Sequence, residues 1–126
     1  MRYLTQADLD AGLAKWRAIL HLQDWEIAVT LVPQTTWEDR GQSGDCSVQT
    51  ESYSAEIRIS EFETLDHVGY HGQQDMERTL VHELLHVVFR HRMLWADRPA
   101  KHQRKYFEHS IEQMARALVE LDRRAA

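Results

Sequence analysis

Residues Thr79 to Phe89 read TLVHELLHVVF, two histidines and a glutamate set into an otherwise apolar run. The apolar positions Leu80, Val81, Leu84, Leu85 and Val87 recur at helical spacing, which predicts a long helix ending near Arg92. Asp75, Met76 and Glu77 bring acidic residues to its start, where the helix dipole favours them. Within it, His82-Glu83-Leu84-Leu85-His86 is a His-Glu-x-x-His pattern. The i, i+4 spacing puts both imidazoles on one face, about 40 degrees apart around the axis, so one metal ion can bridge them. Glu83 can then reach a water at that metal without being a ligand itself.

The competing reading is a core helix in a chain that happens to hold eight histidines. Chance alone would produce the pattern roughly 0.04 times in a chain of this composition. Burying two His and a Glu without partners costs a few kcal/mol each, and more for the carboxylate. A metal site containing water removes most of that cost, so the metal reading is preferred.

Upstream, Thr5 followed by Asp8 resembles a capping box, and Leu9, Leu13, Trp16, Ile19 and Leu20 predict a first helix over about residues 6–21. Trp25 to Val32 alternates Trp25, Ile27, Val29 and Leu31 against smaller or polar residues, a strand with one buried face. Thr35 to Asp45 reads as a loop. Cys46 to Thr50 and Ala55 to Ser60 read as two further strands joined by a turn at Glu51 to Ser54. The second of these is short and alternates cleanly, which suits a sheet edge. Leu65 to Gln74 reads as a loop, and residues 93–100 break the motif helix. A last helix from about Ala100 to Arg123 carries Phe107, Ile111, Met114, Ala115, Leu118, Val119 and Leu121 as its inward stripe.

Two histidines need a third protein ligand if the ion is to keep a position open for water. Phe89 and Arg92 stand where one large class of zinc peptidases needs Gly and His, so that class is excluded. His91 faces the opposite side of the helix from His82. The remaining candidates are Glu108, His109 and Glu112 on the last helix.

The motif, followed after a break by a helix reading Glu112-Gln-Met-Ala115-Arg-Ala-Leu118, resembles the gluzincin metallopeptidases. More narrowly it is similar to small zinc peptidase-like proteins of phages and prophage regions, which share the early helix, a Trp-x-Ile-x-Val strand (here Trp25 to Val29) and an edge strand before the motif. The resemblance implies an α+β, zincin-like fold in one domain over residues 1–126. That layout has an N-terminal helix, a small mostly antiparallel sheet of about three strands, the motif helix and a C-terminal helix. It also implies one zinc ion held by His82, His86 and Glu112, with Glu108 as the alternative to Glu112. Glu83 would be the general base that takes a proton from water as it attacks a carbonyl and passes it to the leaving amine. A peptide or protein substrate would lie along 55–60, read as the edge strand. Tyr106, His102 and His109 are candidates for the second oxyanion stabiliser.

A net charge of -5 and an interleaving of Lys101, Arg104, Lys105, Arg116, Arg123 and Arg124 with acidic neighbours argue against a nucleic-acid footprint. No apolar run approaches membrane-spanning length, and the start of the chain has acidic residues where a signal peptide needs an apolar core. The single cysteine, Cys46, cannot form an internal disulfide, and the expected location is the cytoplasm, that of the host cell for a phage-encoded protein. Cys46, Trp16, Trp25 and Trp95 read as packing residues, and His21, His67 and His71 as exposed. The rival to a peptidase is a zinc-containing binding module of a phage or prophage system; Glu83 favours the peptidase, because a structural zinc has no use for an acid between its ligands.

Overall fold

A computed structural model describes residues 4–33, 37, 42–61, 75–92 and 101–125, with the side chains of 91–92 and 101–103 excepted. The expected loop at 65–74, the helix break at 93–100 and the side chains of His67, His71, His91, Trp95 and His102 lie outside the described residues.

The order is α1 (Gln6–Ile19), β1 (Glu26–Val32), β2 (Gly44–Gln49), a 3-10 turn at Thr50–Ser52, β3 (Ser54–Ser60), α2 (Met76–Arg92) and α3 (Lys101–Ala125). This is the expected α+β arrangement of an early helix, three strands and two later helices.

Helix α1 begins where the sequence indicates: the Thr5 hydroxyl accepts from Asp8 N at 3.1 Å, and Thr5 N donates to Asp8 Oδ2 at 3.0 Å. Leu9, Leu13 and Trp16 form its buried face. Gly12 lets it close on α2, since a Cβ there would sit 3.2 Å from Leu80 Cδ2. At its far end Arg17 Nη2 donates to the carbonyls of Gln23 and Trp25, tying the helix to the start of β1.

The sheet order is β1-β3-β2, with β1 parallel to β3 and β2 antiparallel to it. Two expectations are corrected here. The sheet is mixed rather than mostly antiparallel, and residues 55–60 belong to the central strand, not to an edge. Ala55, Ile57 and Ile59 are buried on one face while Glu56 and Arg58 are exposed on the other. Alternation of this kind reports that one face is covered and carries no information about neighbours in the plane of the sheet. The edges are β1 and β2. Strand β2 also starts at Gly44, inside the stretch read as loop, and its Asp45 pairs across the ladder with Arg58, over which the Trp37 ring lies at 4.6 Å.

Gly44 has a steric reason to be glycine. A Cβ there would lie 2.9 Å from Arg58 O and 3.0 Å from Thr79 Cγ2, with Glu83 Cγ at 3.7 Å. Gly44→Ala is expected to cost about 1–3 kcal/mol by overpacking, read as a lower urea midpoint at unchanged slope. A midpoint equal to the parent's would show that β2 does not press on α2 there.

The core joins α1, the covered face of the sheet, α2 and α3, with Leu80, Val81, Leu84 and Val87 fully buried on α2 and Ile111, Ala115 and Val119 on α3. Leu121 departs from the expected stripe and is 60% exposed, because it sits about 200 degrees around the helix from Val119. No helix among the described residues is long and apolar enough to cross a membrane.

The N-terminus of α2 is fixed by charge. Asp75 Oδ1 accepts from the backbone N of Glu77 and Arg78 and caps the helix. Glu77 is buried and takes hydrogen bonds from Trp16 Nε1 at 3.1 Å, Lys15 Nζ at 3.3 Å and Arg123 Nη2 at 2.9 Å, while Arg123 Nη1 pairs with Asp75 at 2.7 Å. Burial works to raise both carboxyls, but Trp16 and Arg123 at Glu77, and Arg123 with backbone N–H groups at Asp75, hold them below their ordinary values. A lowered folded value means that these groups contribute stability above their unfolded values of 3.8 and 4.5, and that this is lost as pH falls through the folded ones. Arg123→Ala, which takes the guanidinium from two buried carboxylates and leaves Glu77 with Trp16 and Lys15 and Asp75 with backbone N–H groups, is expected to cost about 2 kcal/mol near pH 7. In urea unfolding the gap between variant and parent narrows toward about pH 3; a gap that stays constant would assign the loss to packing instead.

Candidate metal centre

Helix α2 carries His82, Glu83 and His86, and α3 crosses it antiparallel, bringing Glu108 and Glu112 alongside. Phe89 and Phe107, ring centroids 5.8 Å apart and edge to face, fix the axial offset of the two helices. Phe107 also meets the His86 ring at 6.1 Å. The buried apolar residues of α2 leave the two histidines on its one polar strip, and the imidazole centroids lie 5.2 Å apart.

The two expected carboxylates take different places. Glu108 spans the pair: its Oε2 is 3.1 Å from His82 Nε2 and its Oε1 is 2.8 Å from His86 Nε2. Glu112 sits behind, with Oε2 2.7 Å from His82 Nδ1. Its other oxygen, Oε1, meets Arg78 Nε at 3.4 Å and Arg116 Nε at 3.3 Å. Among the described residues, the three whose ligand atoms lie within 4.8 Å of one another are His82, His86 and Glu108.

Two imidazoles and one carboxylate are a donor set that suits zinc. A tetrahedral ion with bonds of about 2.0–2.1 Å separates its ligand atoms by about 3.3 Å. The three ligand atoms lie within 4.8 Å of one another, so the side chains would draw together by up to about 1.5 Å to hold such an ion.

The local electrostatics match this donor set. Burial opposes protonation of His82, but Glu108 and Glu112 on its two nitrogens outweigh it and push the imidazole up to about 10. In turn the two imidazoles hold Glu108 well below the carboxylate range, and His82 overcomes burial to lower Glu112. A metal ion at Nε2 of His82 would compete with this proton.

Glu83 is buried, with Oε1 3.9 Å from His82 Nε2. Burial raises its carboxyl to about 7, against the pull of His86 and His82 and with a further push from Glu108. Cys46 faces the same space from β2; burial, then the charges of Glu83 and Asp45, push its thiol to about 12, so it is a packing thiol rather than a nucleophile. A cleft of about 970 Å³ lies over these groups, bounded by β2 on one side and α3 on the other, with Tyr106 and His109 on its rim.

The arginines that clamp Glu112 were not anticipated. Their signal was available only in part: Arg116 stands four residues after Glu112 on one helix, whereas Arg78 reaches it from another. No protein-family model, no curated protein and no solved structure matches the chain.

Proposed function

We propose that the protein is a zinc-dependent peptidase that holds one ion between His82, His86 and Glu108 and uses Glu83 as general base. The observation that carries this reading is the meeting of the three ligand atoms beside a buried carboxylate that belongs to none of the ligands. Zinc bound there supplies Lewis acidity, which lowers the pKa of water toward neutrality and polarises a carbonyl oxygen.

The chain's own residues supply the rest. Glu83, raised toward neutrality by burial, is poised to take a proton from the attacking water and deliver it to the leaving amine. Glu112 accepts the Nδ1–H of His82, which fixes the tautomer and would leave Nε2 as the atom that holds an ion. Arg78 and Arg116 hold Glu112 in that role, so Glu108 takes the ligand position that the resemblance gave to Glu112.

The substrate strand also moves. Strand β3 has both sides paired, so residues 55–60 offer no free ladder groups. On β1, the Gln6 side chain covers the outer edge, donating to Val29 O and accepting from Leu31 N, both at 2.8 Å. Strand β2 is the edge that borders the cleft, and an extended peptide pairing with Gly44–Gln49 lies beside Glu83.

The reading is tested with zinc-loaded, chelator-stripped and zinc-restored protein on a proteome-derived peptide mixture. New peptide termini are expected with the first and third samples only. No new termini from protein that carries its zinc would leave the binding module.

A further inference from the structure

Four cationic side chains border the cleft of this acidic chain: Arg78, Arg90, Lys105 and Arg116. Arg78 and Arg116 are committed to Glu112. The cleft's carboxylates are committed as well: Asp45 to Arg58 and Asp75 to Arg123, both outside the cleft lining, and Glu108 to the two histidines. Arg90 and Lys105 remain, and among the described residues neither has an acidic partner.

These two share one end of the cleft. Arg90 follows Phe89 and Lys105 stands two residues before Phe107, the rings that pack at 5.8 Å where α2 and α3 cross. Arg90 stands one helical turn beyond His86, about 6 Å along the axis. Its charge also reaches Cys46 on the facing strand β2. An extended peptide advances about 3.3 Å per residue, so the pair meets a substrate one or two residues from the bond at the ion.

We infer that the cleft selects peptides bearing a carboxylate one or two residues from the cut bond, held by Arg90 and Lys105. The carboxylate is that of an Asp or Glu side chain or of the peptide's own C-terminus. This rests on the peptidase reading for the position of the bond, but the selectivity is a binding property that needs no turnover.

The test uses the zinc-loaded Glu83→Gln protein, which holds peptide without cutting it. Fluorescence anisotropy compares short labelled alanine and serine peptides carrying either glutamates or glutamines, each with a free or an amidated C-terminus. Both cations are exposed, so the expected preference for carboxylate is modest, about fivefold. It falls below about twofold when Arg90→Ala and Lys105→Ala are added, and it is kept by Arg90→Lys with Lys105→Arg. Preference that follows glutamate assigns the side chain as the source, and preference that follows the free terminus assigns the chain end. Equal binding of all four peptides, a preference that survives both alanines, or displacement of the glutamate peptide by single-stranded DNA at equal charge would each overturn the inference. Absence of hydrolysis by the parent with Glu83 intact is a separate result, bearing on the peptidase reading alone.

Discussion

If the protein is the proposed zinc peptidase, Glu83→Gln is expected to lower the rate of peptide hydrolysis by about 10²–10⁴-fold while the zinc content stays at the parent's level. The substitution keeps the size and shape of the side chain, and Glu83 is packed tightly, with Gly44 on β2 passing close to its Cγ. What is lost is the proton acceptor. A base works best with a value near the operating pH, and burial puts the Glu83 carboxyl at about 7. The residue lies outside the ligand set, so metal binding has no reason to change. The measurement pairs hydrolysis, followed by mass spectrometry of new termini, with metal analysis of the same samples. Equal rates for parent and variant would remove Glu83 from the chemistry and with it the peptidase.

The same residue bears on stability. In metal-free protein its raised value means that ionising Glu83 opposes folding as pH climbs from the unfolded 4.5 toward 7. Gln removes that opposition, so the metal-free variant is at least as stable as the parent near neutral pH. A site that keeps a buried carboxylate at such a cost is more readily explained by chemistry than by packing.

The parts of this arrangement that local spacing determines were legible in the chain. The i, i+4 histidines share a face because helix geometry leaves no alternative, and the Thr5–Asp8 box starts α1 because both partners lie within one turn. The carboxylate that spans the two histidines was not legible to the same degree. Glu108 and Glu112 are one turn apart on the same face of α3, and the choice between them depends on how far α3 slides along α2. Phe89 against Phe107 sets that slide, and no periodicity within either helix encodes it. The place of β3 failed for a related reason. Ile57 and Ile59 alternate with Glu56 and Arg58 in the same way at the centre of a sheet as at its edge, whereas the device that covers the β1 edge is a glutamine from α1, 23 residues before the carbonyl it meets.

The division of labour between the two glutamates yields the second large effect. Glu108→Ala removes one of the three proposed ligands and is expected to weaken zinc binding on the order of a thousandfold. Glu112→Ala removes only the group that orients His82, and groups in that position typically contribute 10–100-fold. Two opposing consequences attend Glu112→Ala. His82 loses the acceptor that fixes its tautomer, which weakens the metal site, but it also loses one of the two carboxylates that favour its proton, which helps zinc compete for Nε2. Relief of the proton on His82 attends Glu108→Ala as well, so the smaller loss for Glu112→Ala follows from its keeping all three proposed ligands. Competition with a chromophoric chelator at fixed pH measures both affinities, and thermal melts of the metal-free variants show whether each still folds. The reverse order, with Glu112→Ala the more damaging, would put the ligand on Glu112 and make the contact between Glu108 and the two Nε2 atoms a feature of the metal-free state alone.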